Sequence, residues 1–342
     1  MLKLTIGFSH NPRVEPLADG TVKPEGIDLR FTFINPGDLF YRNLKDEAFD
    51  VSEMSISGFS MTKERGDGSR WLWSGLPVFL SKAFMWLNLY VNAGAGIKDL
   101  GDFSGKRVGI PDYSMTAALW MRAVMKELYG IQPREIVWYN GRTPDYSHGG
   151  ELGLNEAPPP GIQLHWLTKE QSLDVMLDRG ELDAAFGVAP RSDRGPTETI
   201  DRHGGTAMEG NPRVHRLFKD FGRQLMTDYF RKTGVLPVNH MVFVKNNVLQ
   251  KEPWAAMELL RAFQRSKEVA YERAGKAAGG YLLFWQDDLR RQTEAFGDDP
   301  YPVGLAANRK MLEILLRGSA EQGLTKGNVR PENLFYSTTW DT

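Results

Sequence analysis

The chain has 342 residues, of which 41% are hydrophobic and 25% charged; this composition excludes a disordered, collagen-like or coiled-coil protein and suits two packed units. Its 42 Lys and Arg against 43 Asp and Glu leave a formal charge of −1, with no basic tract to grip nucleic acid or an anionic membrane. Cysteine is absent, so disulfides, thiolate catalysis and cysteine-bound zinc are excluded.

Leu2–Phe8 alternates apolar and polar residues and predicts a first strand. Turn residues at Asn11-Pro12 and Ala18-Asp19-Gly20 separate it from a second alternating strand over Gly26–Phe33. Asn35-Pro36 predicts a helix start, with Asn35 as N-cap and Leu39, Phe40 and Leu44 on the buried face. Phe49–Ser55 reads as a short strand ending in small polar residues, and its Glu53 is expected to be buried or paired. Strands are expected over Trp71–Phe79, Phe84–Val91 and Lys106–Ile110, with Trp71, Trp73, Phe84 and Trp86 in the core. Asp112–Thr116 breaks the chain and opens a helix in which Trp120, Val124 and Leu128 recur every four residues.

Residues 141–161, with Gly149-Gly150 and Pro158-Pro159-Pro160, read as a surface loop or flap. Lys169–Arg179 reads as a helix stopped at Gly180, Leu182–Phe186 as a strand and Gly234–Val244 as an extended segment. Pro253 starts a long helix, and the last hundred residues are mostly helical. The pairs Asp287-Asp288 and Asp298-Asp299 read as solvated surface charge. Alternating strands and helices with short loops define an α/β protein with largely parallel sheets. The N-terminal segment has no long apolar run, and no stretch approaches the roughly 20 apolar residues that span a bilayer. The protein is therefore expected to be soluble and cytoplasmic.

No P-loop, His-Glu-x-x-His or Gly-x-Ser-x-Gly motif is present, and Gly94-Ala-Gly96 has Asp99 where a dinucleotide fingerprint needs glycine. The six histidines are too scattered in sequence to suggest a metal site. What remains is a set of polar residues just beyond strands, where open α/β sheets bind ligands. They are His10 and Arg13, Ser55 and Ser57, Lys82, Ser114 and Thr116, and His240. Ser114 and Thr116 sit at a helix N-terminus, whose free N–H groups and dipole attract carboxylates, although Ser114 could equally be a plain cap. Arg13 could fork to a carboxylate or join a surface salt bridge. His10 and His240 could each donate a proton near neutral pH or serve the core.

Pro16–Gly20, Val22–Asp28, Phe49–Ser55, Gly105–Ala117 and Leu236–Val242, in this order, resemble the 4,5-dihydroxyphthalate decarboxylase family from Met1 to about Phe263. The resemblance weakens over residues 141–161, where this chain carries a longer loop. It implies a two-lobed type II periplasmic-binding-protein-like fold with two crossover strands near Val91 and over Gly234–Val244. Lobe I would be residues 1–94 and 240–342, and lobe II residues 95–239. Lys82-Ala-Phe-Met85 stands where relatives often carry Arg-Ala-Phe-Arg/His, one basic residue fewer, so a related hydroxylated aromatic acid is an alternative substrate.

The implied activity is a carboxy-lyase reaction on a hydroxylated aromatic acid, with no organic cofactor and a phenolate-polarising metal ion left open. Arg13, Ser114 and Thr116 would hold carboxylate, with Ser55, Ser57 and Lys82 around the substrate. His240 or His10 would donate the proton. A small aromatic carboxylate is the expected partner, not nucleic acid or membrane, and self-association is left open. The alternative is a non-catalytic solute-binding protein for an aromatic carboxylate.

Overall fold

The computed structural model describes residues 1–82, 84–188 and 200–342. Ala83, within the Lys82–Met85 segment, lies outside the described residues, as does the side chain of Met85. The strands are β1 (Leu2–Phe8), β2 (Ile27–Phe33), β3 (Val51–Ser55), β4 (Trp73–Lys82), β5 (Tyr90–Asn92), β6 (Arg107–Ile110), β7 (Val137–Asn140), β8 (Gln163–Trp166), β9 (Ala184–Ala185), β10 (Val214–Arg216) and β11 (Val238–Lys245). Among the described residues they form one sheet in the order β2-β1-β3-β11-β4 and another in the order β10-β5-β9-β6-β7-β8.

Both sheets are mixed rather than largely parallel. In the first, β1 is parallel to β2 and β3, while β11 enters antiparallel between β3 and β4. In the second, β6 is parallel to β7 and β9, while β5 runs antiparallel to β9 and β10. Side-chain alternation is the same for either strand direction, so the sequence pattern does not reveal the reversal of β11.

The long helix Ala255–Tyr281 covers one face of the first sheet, setting Leu259, Leu260 and Phe263 against Ile6, Phe8, Val242 and Val244. On the other face Met54, Phe79, Met241 and Phe243 join Leu39, Phe40 and Phe59, and this cluster continues into Trp120 and Trp138 beside the second sheet. Full burial of each such side chain contributes about 1.5–3 kcal/mol. The two sheets therefore share a core, and Trp120 Nε1 donates to the Val238 carbonyl at 2.8 Å.

Several expectations are corrected. Phe84–Val91 is a single 3-10 turn over Met85–Asn88 followed by the short β5, not a strand. A helix over Ile56–Arg65, which the sequence reading lacks, follows β3 directly and is capped by Ser55. Asp299 is not merely solvated, because it pairs with the buried Lys267 at 2.5 Å.

The largest correction concerns residues 141–161. Arg142, Thr143, Ser147, His148, Leu152 and Leu154 are buried, and the segment packs into the junction of the two sheets. Its paired glycines serve close packing: a Cβ on Gly149 would stand 2.9 Å from Leu154 and 3.1 Å from Asp112, and one on Gly150 would collide with the Pro144 carbonyl. What resembles a flexible Gly-Gly flap is backbone brought tightly against a carboxylate.

Candidate functional site

Topology brings the polar ends of distant segments together. The carboxyl ends of β1, β3 and β4 lie at one edge of the first sheet, and the antiparallel β11 begins there. His240 consequently faces Ser55 across one ladder and Ser81 across the other. Beside it the β4–β11 register shifts, leaving Leu80 without a partner between Ser81 and Phe79. Such bulges re-aim side chains and free backbone groups. The Leu80 carbonyl accepts from Asn11 Nδ2 at 2.8 Å and also from Arg13 Nη2.

His240 and Glu53 form the centre of this edge. Their Nδ1–Oε1 distance is 2.6 Å, with Glu53 1% and His240 7% exposed. Glu53 also accepts from the Ser9 backbone N–H at 2.9 Å and the Ser9 hydroxyl at 2.7 Å. Burial opposes the Glu53 charge, but the hydrogen bond and charge of His240 and the Ser9 donors outweigh it, and the carboxyl is held below its ordinary pKa. An ionised Glu53 accepts only, so the proton of that bond belongs to His240 Nδ1, and Nε2 is the ring nitrogen turned away from Glu53. The edge of the His240 ring meets Phe40, with ring centroids 4.8 Å apart.

The second sheet contributes Thr116, the first residue of the helix Thr116–Tyr129. Its hydroxyl lies 2.8 Å from Ser55 Oγ and accepts from the Ser57 backbone N–H at 3.0 Å. Two helix N-termini, those of Ile56–Arg65 and Thr116–Tyr129, thus meet one strand position from His240. Among the described residues the buried Ser57 Oγ has no hydrogen-bond partner.

Behind this contact lies a network that the sequence reading missed. Asp112 accepts from Ser114 Oγ and Ser147 Oγ, each at 2.7 Å, and from the His148 N–H at 2.8 Å. Arg142 grips Asp201 in bidentate fashion at 2.6 and 3.0 Å and lies 3.1 Å from the His148 ring. His148 Nε2 reaches the Gly37 carbonyl at 2.9 Å, joining the network to the first sheet's side. Burial, with Arg142 alongside, pushes the His148 pKa down to about 4. Burial would raise Asp112, but His148, Arg142 and the Ser114 and Ser147 hydroxyls hold it below its ordinary value.

The sequence-selected residues fall into groups. His240, Ser55, Ser57 and Thr116 meet directly. Ser114 lies one step away, its hydroxyl donated to Asp112 rather than capping the helix, whose N-cap is Met115. Arg13 and Lys82 gather around Tyr301: the guanidinium lies 3.8 Å from the ring centre and the phenol donates to the Lys82 carbonyl at 3.1 Å. His10, next to the Ser9 that reaches Glu53, is exposed and stacked on Phe33 with centroids 4.5 Å apart. Among the described residues, no group of three or more His, Asp or Glu side chains could hold a metal ion, and no helix is long and apolar enough to cross a membrane.

Two α/β units meeting at the carboxyl edges of their sheets, with a buried polar junction between, define a periplasmic-binding-protein-like fold. The periplasmic aliphatic sulphonate binding protein SsuA from Escherichia coli shares it over 100% of both chains, with a TM-score of 0.52 at 12% identity. No family model matches the sequence. A 4,5-dihydroxyphthalate decarboxylase of Comamonas testosteroni is 29% identical over 343 residues, 100% of this chain and 98% of the relative. Another, of Pseudomonas putida, is 30% identical over 220 residues, 64% of this chain and 78% of the relative. The chain belongs to the 4,5-dihydroxyphthalate decarboxylase family.

Proposed function

We propose that the protein is a carboxy-lyase that removes one carboxylate from 4,5-dihydroxyphthalate, without oxidation, between its two sheets. Family membership supplies the substrate. The observation that carries the chemistry is the buried Glu53–His240 pair, 2.6 Å apart at the sheet edge. Aromatic decarboxylation needs a proton delivered to the ring carbon that bears the leaving carboxylate. Ionisation of the hydroxyl para to that carbon pushes an electron pair toward it. The carbon takes the proton from His240 Nε2, giving a dienone with a tetrahedral carbon. The bond to the carboxylate then breaks, CO2 leaves, and its electron pair restores the aromatic ring as a phenolate, which takes up the phenol proton again. The phenol proton passes to water and returns from it, His240 Nε2 regains its proton from water, and the sum is one carboxylate and one proton converted into a C–H bond and CO2.

In this reading His240 is the proton donor, a contribution of about 10²–10⁴-fold when well placed, and Glu53 positions the imidazole and supplies the counter-charge of its protonated form. The hydroxyls of Ser55, Ser57 and Thr116 and the two helix N-termini receive carboxylate oxygen. Closure of the two units around the ring would exclude water and fix its orientation. We place the reaction in the cytoplasm.

The test is incubation of the purified protein with 4,5-dihydroxyphthalate, with and without EDTA, following CO2 release and the appearance of 3,4-dihydroxybenzoate. Stoichiometric release of both supports the assignment. Tight binding of aromatic carboxylates with no turnover would replace it by a solute-binding role, which the fold also serves in SsuA.

A further inference from the structure

A dicarboxylate substrate poses a problem that the site must solve: one carboxylate leaves and its neighbour stays. The leaving group goes from a full negative charge to neutral CO2. A cation gripping it would stabilise the bound substrate more than the transition state and slow the reaction. The retained group keeps its charge throughout, so a cation there gives affinity and orientation without that penalty.

The first sheet's edge separates these two environments. Around His240 on the Thr116 side the donors are neutral hydroxyls and backbone N–H groups, and among the described residues the buried Ser57 Oγ has no partner. On the β4 side lies an excess of positive charge. Lys267 has a carboxylate partner, Asp299, at 2.5 Å. Among the described residues Lys82 Nζ hydrogen-bonds the uncharged Asn308 Oδ1, at 2.9 Å, and shares the field of the same Asp299. Among the described residues the Arg13 guanidinium donates to the Leu80 carbonyl and lies over the Tyr301 ring, and its buried Nε has no hydrogen-bond partner. Among the described residues Asp299 is the carboxylate that both Lys267 and Lys82 feel. Lys82 follows Ser81, the residue opposite His240, and Arg13 binds the carbonyl of Leu80, which precedes it. Partly buried cations whose hydrogen bonds go to neutral acceptors are costly, and a bound anion would relieve that cost.

We infer that Arg13 and Lys82 hold the ring carboxylate that survives the reaction, while the departing one lies at the neutral hydroxyls of Ser55, Ser57 and Thr116. The assignment rests on the decarboxylase reading and adds the orientation of the substrate within it. The product, 3,4-dihydroxybenzoate, separates the two seats because it carries only the retained group. KM for 4,5-dihydroxyphthalate and the competitive inhibition constant of the product are measured for the wild type, Lys82→Met and Lys82→Arg. Lys82→Met should raise both constants in parallel, by about 10- to 100-fold as for the loss of a charged hydrogen bond, and Lys82→Arg should recover most of each.

A raised KM with unchanged product inhibition would overturn the assignment and put Lys82 on the leaving group. No change in either constant would remove the cationic cluster from the site. Should circular dichroism show Lys82→Met unfolded, Lys82→Gln carries the same two expectations. If the wild type fails to turn over 4,5-dihydroxyphthalate, the decarboxylase reading falls by itself. Calorimetric binding of phthalate then decides whether a carboxylate seat exists: weakening by Lys82→Met retains the seat, and undiminished binding rejects it.

Discussion

Two buried histidines approach the ring of Phe40 from different elements, His240 with centroids 4.8 Å apart and His148 at 5.9 Å. Their exposures, 7% and 5%, are nearly the same, yet their electrostatic company is opposite. His240 hydrogen-bonds a carboxylate that is itself held ionised by Ser9. His148 lies against the Arg142 guanidinium and is pushed down to about 4, so it is neutral at pH 7. Burial alone does not decide what a histidine does; the charge of its nearest partner does. The first arrangement suits a group that must carry a proton to substrate. The second suits a neutral strut between the two sides of the junction.

The largest expected effect probes the first half of this contrast. His240→Asn keeps the size of the side chain and removes the acid, and turnover of 4,5-dihydroxyphthalate should fall by about 10²–10⁴-fold while calorimetric binding of phthalate persists. A variant that retained wild-type turnover would transfer the proton to another group and dissolve the contrast. Glu53→Gln should cost less, about 10- to 100-fold, because the imidazole stays in place and loses only its counter-charge. The loss should fall on kcat, with KM for 4,5-dihydroxyphthalate nearly unchanged. A variant whose KM rises while kcat holds would make Glu53 a structural partner of the site rather than of the proton donor.

How much of this could be read from the sequence depended on local pattern. The Phe49–Ser55 strand and the His240 segment are short, apolar and alternating, so the positions of Glu53, Ser55 and His240 near strand ends were legible. Their contact was not, because β11 runs antiparallel between β3 and β4, and alternation carries no direction. Thr116 was legible from the break at Asp112–Thr116 that precedes an amphipathic helix. Arg142 and His148 were hidden by Gly149-Gly150: turn residues signal flexibility in isolation, whereas here the missing side chains let backbone close on Asp112. His10 was selected for its place after β1, but the neighbouring Ser9 is the residue that reaches Glu53. Ser9 and His10 are both beyond the end of β1, so strand alternation does not say which of them turns onto the sheet.

The second half of the contrast predicts a pH dependence of stability. A histidine whose folded pKa lies below its unfolded value binds more protons when unfolded, so its contribution is complete above about 6.5 and is lost as pH falls toward 4. Between pH 7 and 4.5 the loss should be on the order of 2–3 kcal/mol. Glu53 and Asp112, held below their ordinary values, remain ionised over most of that window and lose their contribution only at lower pH. Urea unfolding at the two pH values should therefore show a smaller decline for His148→Gln, which cannot titrate, than for the wild type. Equal declines would mean that His148 takes up its proton without strain and is not the neutral strut.

The smallest effect concerns the contact that joins the two sides beside His240. Thr116→Val preserves shape but removes the oxygen that the Ser57 N–H donates to and that pairs with Ser55 Oγ. A buried N–H left without its acceptor costs about 1–3 kcal/mol, whereas Thr116→Ser keeps the oxygen and should lie close to the wild type. The difference between these two variants in unfolding free energy isolates the oxygen from the methyl group. It also bears on the chemistry, because the same oxygen aligns the two helix N-termini that receive carboxylate in the proposed mechanism. Thr116→Val should then raise KM as well as lower stability. If it lowers stability alone, the hydroxyl fastens the two units without touching substrate, and the leaving carboxylate is held by Ser55 and Ser57 instead.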